Sequence, residues 1–329
     1  MVNNTVTTTG IPKDIRLIHN VLSSFISIVG FILNFVIVIA IIKYRLYKQT
    51  VIVFILNLSV LYCLSSGFSL AYIAYNSFTI NFKESENQTI CKVFGFITYT
   101  VVGADLTALC LISFNRYCLI VYIEKYHDIY GKRKNVVIMF FLSWILYFIL
   151  FLFPTTEIWG KMKYDKYRFL CQPFLNGDSF SKFIAYFSVG STMPPLIFCY
   201  IGIIWKVNST RKKINKVMDP TNVCKRPVKM PFMIIWILTT FGALYLPFLF
   251  VQGTDPDAVK YNIRIHIVTV YIGWTHLLCN PVIYAVFNNQ IQIALKKLFC
   301  LDFKHETLLP TQNTLEVQII VLASRKTGN

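Results

Sequence analysis

The sequence predicts an all-α membrane protein: a seven-transmembrane helix bundle with a short amphipathic helix after the last span. Three observations carry that expectation. Hydrophobic residues make up 55% of the 329 and charged residues only 14%, mean hydropathy is +0.56, and the charges cluster between long apolar runs. So high an apolar fraction excludes a soluble globular chain, a disordered polypeptide and a coiled coil. The excess of 32 Lys+Arg over 15 Asp+Glu forms no continuous basic face, so no nucleic-acid partner is expected.

Charge-free runs of about 20 residues are long enough to cross a hydrocarbon core roughly 30 Å thick as helix. In chain order they cover 17–42, 51–82, 93–115 (interrupted only by Asp105), 135–154, 183–205, 230–253 and 265–287. Helices satisfy their backbone groups internally, and these runs are too long and too evenly apolar for barrel strands. Residues 1–16 precede the first span and are polar up to Lys13, so the first span is expected to act as its own insertion signal. Residues 17–287 form the bundle. Between 288 and 301, Ile291, Ala294, Leu295 and Leu298 repeat at helical spacing with Gln292, Lys296 and Lys297 on other faces, the pattern of an interfacial helix that meets membrane lipids. Residues 302–329 show no period and read as a flexible cytoplasmic tail.

Basic residues set the orientation, because positively charged short loops remain cytoplasmic. Lys43, Arg45 and Lys48, then Lys125, Lys132, Arg133 and Lys134, then the run from Lys206 to Lys229, and Lys296 and Lys297 share one face. The opposite face has fewer cations and most of the acids, including Glu84, Glu86, Glu157, Asp165, Asp178, Asp255 and Asp257. The amino terminus is therefore expected outside a plasma membrane. Asn3 and Asn87 lie in glycosylation sequons on that outer face.

Catalytic and phosphate-binding motifs are missing, and the five histidines have no metal-ligand spacing. No enzyme and no cofactor are expected. Seven of the nine cysteines fall in spans or on the reducing face, which leaves Cys91 and Cys171 outside. One disulfide between them would tie the loop between spans four and five over the mouth of the bundle. Cys300, beside Lys297, is a candidate for palmitoylation, with an unmodified thiol as the alternative.

The residues also resemble a known family. Cys91, Asn115-Arg116-Tyr117 at the inner end of span three, Trp144, Tyr200, Phe241, Pro247 and Asn280-Pro281-Val282-Ile283-Tyr284 are similar to the rhodopsin-like G-protein-coupled receptors. Within it, Asn115 to Cys118 followed by Lys125-Tyr126-His127-Asp128 and Tyr130 resembles the melatonin-receptor-like and orphan branch. The resemblance implies a receptor that senses an extracellular ligand and activates a heterotrimeric G protein, with the inhibitory class implied by the finer match. Arg116, Tyr200 and Tyr284 would be switch residues, and Asn280-Pro281 a kink. A static interfacial arginine and a static kink are the alternatives. For the whole chain, a seven-helix transporter or channel and a non-signalling decoy receptor are the alternatives.

Several positions depart from the family pattern. Asn115 replaces the usual aspartate, Tyr62 the acid of span two, Tyr245 a tryptophan, Leu244 a cysteine and Thr192 the proline of span five, with Pro194-Pro195 following. Asp105 is the one acid inside a span, and an ionised carboxylate near mid-membrane costs about 2.5–3.5 kcal/mol on insertion scales. By resemblance His276 and Asn280 would stand beside it, making a relocated sodium or proton site; a neutral core acid is the alternative. Thr98 stands where amine receptors carry their aspartate, and span seven has no lysine for retinal, Trp274 taking its place. Thr98, Tyr99, Val102, Phe187, Ser188, Tyr245 and Trp274 are the candidate ligand pocket, with core packing as the alternative.

Overall fold

The computed structural model describes residues 13–78, 88–165, 168–173, 178–217, 229–255 and 261–300. Asn3, Asn87 and the tail from 302 lie outside the described residues. Span one is Lys13–Lys43, span two Thr50–Phe78, span three Gln88–Val121, span four Arg133–Thr155 and span five Ser179–Val217. Span six is Lys229–Thr254 and span seven Ile263–Phe287, followed by the amphipathic helix Asn289–Leu298. Six of these helices are long and apolar enough to cross a membrane; in span six the described apolar stretch is the shorter Thr239–Val251.

Counting apolar runs misjudged where helices end, because a charge can be buried rather than stop a helix. Span three continues beyond Asn115 for more than a turn, and its Arg116 is only 2% exposed. Span two is described as far as Phe78, and Arg16 of span one reaches across to its last described turn. Its Nε and Nη2 donate to the Ser77 carbonyl at 3.3 and 3.0 Å. A guanidinium on this carbonyl ties span one to span two.

Other features were not foreseen in the run pattern. Residues Ser65–Leu70 of span two form a π-helical turn, and the Ser66 carbonyl there accepts a 2.7 Å bond from Ser27 Oγ of span one. Span seven is interrupted at Thr275, between segments Ile263–Trp274 and His276–Phe287. Ile123–Tyr130 is a short helix in the connection between spans three and four. Its Tyr130 is buried against Phe54, which pushes the phenol pKa up by desolvation, and Asn135 Nδ2 donates to Ile129 O at 2.8 Å to close the helix end. A small antiparallel hairpin of β1 (Lys163–Asp165) and β2 (Leu170–Gln172), with Tyr164 opposite Cys171, adds two strands to an otherwise helical fold.

Span three lies centrally, packed against spans two, four and five. Gly103 permits the closest approach. A Cβ there would fall 2.1 Å from Tyr147 Cδ1, a ring 1% exposed that lies flat on span three. Gly103→Ala must push that ring away, so it is expected to lower thermal stability in detergent by about 1–3 kcal/mol, the usual range for overpacking. A melting curve matching wild type would show that spans three and four are not in this contact.

Candidate functional site

Three groups of side chains stand out along the bundle. At one end the hairpin is fixed to span three by the Cys91–Cys171 disulfide, with Cα atoms 5.3 Å apart. Gly95, one turn along, leaves space for it: a Cβ would lie 2.6 Å from the Cys171 carbonyl oxygen. The adjoining Phe169 is 4% exposed, its ring centroid 5.0 Å from that of His19 in span one, and its carbonyl accepts from Asn76 Nδ2 at 2.9 Å. Asp165 forms a 3.1 Å ion pair with Arg168 and accepts from Gln172 Nε2 at 2.9 Å, which braces the two strands. Beyond the disulfide, the hairpin is held to spans one and two by contacts that its loop sequence does not advertise. At the same end, Lys92 and Glu157 pair at 2.5 Å, and the ammonium beside it holds the Glu157 carboxyl below the usual range.

Midway along the bundle lies a buried polar cluster. Asp105 is 3% exposed, with Oδ2 3.3 Å from His276 Nε2. His276 Nδ1 is 2.6 Å from the Gly273 carbonyl, which can only accept, so Nδ1 carries a hydrogen. A contact between Nε2 and a carboxylate oxygen then needs a proton on one of them, or a cation between or beside them. Asn280 Nδ2 donates to the Tyr62 hydroxyl at 2.6 Å, and that hydroxyl stands close enough to Asp105 to act on it. Asp105 Oδ1 and Asn280 Oδ1 are buried acceptors with no hydrogen-bond partner among the described residues. Such a set of hard oxygens suits a small hard cation or a water cluster. The break at Thr275 supplies this arrangement, since it turns His276 back onto the carbonyl of the preceding segment. Tyr62, which stands where the resembled pattern has an acid, is the link between Asn280 and Asp105, a pair of partners that the residue pattern alone did not show.

At the far end from the disulfide, Asn115, Arg116 and Tyr117 are all buried, at 1, 2 and 7% exposure. Tyr117 packs with Cys199 and Ile203 of span five, and Gly202 makes room for it, since a Cβ there would meet its ring at 2.4 Å. Tyr126 of the short helix lies close enough to Arg116 to influence it electrostatically. Tyr284 is fully buried and Pro281 lies within the second segment of span seven, whereas Tyr200 is half-buried. Trp144 Nε1 donates to Asn57 Oδ1 at 2.9 Å, tying span four to span two.

The seven pocket candidates make different contacts. Thr98 is 1% exposed and its hydroxyl binds Ser69 Oγ at 2.8 Å and the Phe94 carbonyl at 2.7 Å, so it serves the contact with span two. Tyr99 and Phe187 belong to an aromatic cluster around Tyr147 and Phe151. Ser188 accepts on its carbonyl from Thr192 Oγ1 within span five. Tyr245 stacks on Phe241 at 4.3 Å and lies 5.2 Å from the His276 ring, with Trp274 at 6.4 Å from the same ring. Val102 is half-buried on span three. Tyr245 and Trp274 therefore stand over the Asp105 cluster, and Tyr99 with Phe187 stands on the span four side. Cys300 is exposed just beyond the amphipathic helix.

Comparison with known proteins covers most of this architecture. Residues 33–284 match the profile of the 7 transmembrane receptor (rhodopsin family). The chain is 26% identical over 308 residues to the fruit fly Drosophila melanogaster protein "Protein trapped in endoderm-1", covering 86% of this chain and 77% of that one. It is 22% identical over 296 residues to the human "C-C chemokine receptor type 1", covering 84% and 78%. In three dimensions it resembles squid rhodopsin with a TM-score of 0.71 at 16% identity, over 97% of this chain and 93% of that one.

Proposed function

The chain belongs to the rhodopsin family of seven-transmembrane receptors, and from that premise we propose that it converts binding of an extracellular ligand into guanine-nucleotide exchange on a heterotrimeric G protein of the inhibitory class. Membership makes it a multi-pass membrane protein with a signalling role. The finer reading places it in the plasma membrane with the amino terminus and the hairpin outside. Carrying it is the buried Asn115-Arg116-Tyr117 at the opposite end of span three from the Cys91–Cys171 disulfide, which puts a cation capable of changing partners where a cytosolic protein would meet it. Tyr200, Asn280, Pro281 and Tyr284 complete the proposed switch. Glycosylation at Asn3 and Asn87 and palmitoylation at Cys300 belong to the same orientation.

A ligand can act only through different affinities for the two end states. The ligand region we favour lies below the hairpin, between Tyr99, Val102 and Phe187 on one side and Tyr245 and Trp274 on the other, with Thr98 and Ser188 at its polar edge. Thr98 and Trp274 stand at the positions where an aspartate for an amine and a lysine for a retinal Schiff base would be, which favours ligands bound by aromatic contact and hydrogen bonds. The test is nucleotide exchange on purified inhibitory, stimulatory and other G proteins, with a ligand library and in its absence. Ion flux without exchange on any G protein would give the chain to the channel class; ligand binding without exchange would make it a decoy.

Asp105, His276 and Asn280 we assign as a small-cation site, sodium or proton, that favours the resting state. Asp105 Oδ1 and Asn280 Oδ1 supply the oxygens, and His276 supplies a place for the competing proton. Asp105→Asn removes the charge, so basal exchange is expected to change and the response to sodium replaced by a bulky organic cation, across a pH series, to flatten. Sodium and pH responses that are equal in wild type and variant would leave Asp105 as a structural core acid.

A further inference from the structure

Span five carries two adjacent prolines, Pro194 and Pro195, inside one continuous helix. Proline has no N–H, and its ring crowds the carbonyl four residues back. The carbonyls of Gly190 and Ser191 therefore lose their α-helical donors. For Ser191 the donor three residues on is missing as well, because that residue is Pro194. Carbonyls nearer span three fare differently: that of Ser188 accepts from Thr192 Oγ1, and that of Thr192 accepts from Cys110 Sγ of span three at 3.6 Å. Among the described residues no side chain donates to the carbonyl of Gly190 or of Ser191.

Both carbonyls belong to a face that meets lipid. Gly190, Ser191, Pro194 and Pro195 share one exposed side of the helix, flanked by Val189, Ile197 and Phe198 at 42, 55 and 60% exposure. The prolines lie at the middle of the apolar segment Ser179–Thr210, about 15 residues and so roughly 22 Å from either end. A Cβ on Gly190 would meet nothing within 4 Å, which leaves a notch in the helix surface. Span four borders it through the buried Tyr147, whose hydroxyl stands close enough to Ser188, Ser191 and Thr107 to act on them. A membrane interior holds no water to meet such groups, so a polar notch at that depth calls for a partner.

We propose that the notch at Gly190, Ser191, Pro194 and Pro195, bordered by Tyr147, is a membrane-facing binding site for a bilayer-dissolved fatty amide, a molecule that carries an N–H partway along an apolar chain. Depth and polarity select this occupant. Phospholipid acyl chains cannot donate a hydrogen bond, and headgroups and a sterol hydroxyl sit at the interface, roughly 15 Å from the bilayer centre. A secondary amide brings both halves of a hydrogen-bonding group into the core. Its N–H can donate to the Ser191 or Gly190 carbonyl, and its oxygen can accept from the Ser191 or Tyr147 hydroxyl. The position of the prolines decides which side of span five is opened. A proline at Thr192 would free the carbonyl of Ser188, beside the proposed ligand region; two residues further on it frees that of Gly190, about 200° round the helix. The site needs only that the chain lies in a membrane, whatever ligand and G protein the receptor uses.

Photolabelling of the full chain in phosphatidylcholine nanodiscs tests it. The probe is a long-chain N-alkyl fatty amide carrying a diazirine, and its control is the ester in which oxygen replaces the N–H. Wild type is expected to be labelled between residues 188 and 198 roughly tenfold more by the amide, since the ester loses a membrane hydrogen bond and sets oxygen against oxygen. Pro194→Ala with Pro195→Ala restores both backbone donors and should bring the amide down to the level of the ester. Gly190→Leu enters open space and should lower labelling by both probes. Each variant favours the helix, so melting in detergent at or above the wild-type temperature reports intact folding; should the double proline variant fail that check, Gly190→Leu and the two probes on wild type decide. Equal labelling of wild type by amide and ester overturns the proposal, as does an amide preference that survives removal of the prolines. Disulfide linking of two copies through Ser191→Cys in protein-poor vesicles, unaffected by added amide, would assign this face to a second copy and also overturns it.

Discussion

Replacing Arg116 by alanine is expected to remove G-protein activation while the receptor still reaches the surface. The guanidinium is 2% exposed at the end of span three, with Asn115 and Tyr117 buried on either side. Its role as proposed is to hold the closed arrangement through one set of partners and the open one through another, so its loss removes the energetic difference on which coupling depends. Coupling free energies of about 1–3 kcal/mol correspond to about 5- to 150-fold, and a loss of ligand-stimulated exchange in that range is the expected reading. Arg116→Lys should rescue only in part, because an ammonium keeps the charge but not the planar fork. Undiminished exchange by Arg116→Ala, at matched surface density, would remove the residue from the switch.

Cys171→Ser should abolish ligand response and sharply reduce delivery to the cell surface. The disulfide closes a loop of sequence separation 80 and fastens the hairpin above Gly95, where a single added carbon would already collide with Cys171. Removing a native disulfide costs about 2–5 kcal/mol, and here it also frees Phe169 from the Asn76 and His19 contacts that depend on the hairpin's position. Because one bond is involved, Cys91→Ser should match Cys171→Ser, and the double variant should be no worse than either. A double variant clearly worse than each single, or a normal response in any of them, would mean that the two cysteines act separately.

Apolar runs separated by cations determined the helical spans, because a helix that crosses lipid must bury its own backbone bonds and carry few charges over about 20 residues. The same reasoning found Asp105, the single carboxylate with no place in such a run, and the topology singled out Cys91 and Cys171. It could not see that Arg16 of span one binds the Ser77 carbonyl of span two or that span three runs on past a buried Arg116. Nor did it reveal that Tyr62 joins Asn280 to Asp105, or that the break at Thr275 aims His276 at the same carboxylate. Those contacts unite residues more than forty and up to about two hundred positions apart. Periodicity and charge report what each helix does alone, against lipid or water. Hydrogen-bond partners, the close approaches that Gly95 and Gly103 permit, and the placing of Arg133 over the Tyr47 ring depend on how helices are rotated and packed against one another, and only the tertiary structure decided them.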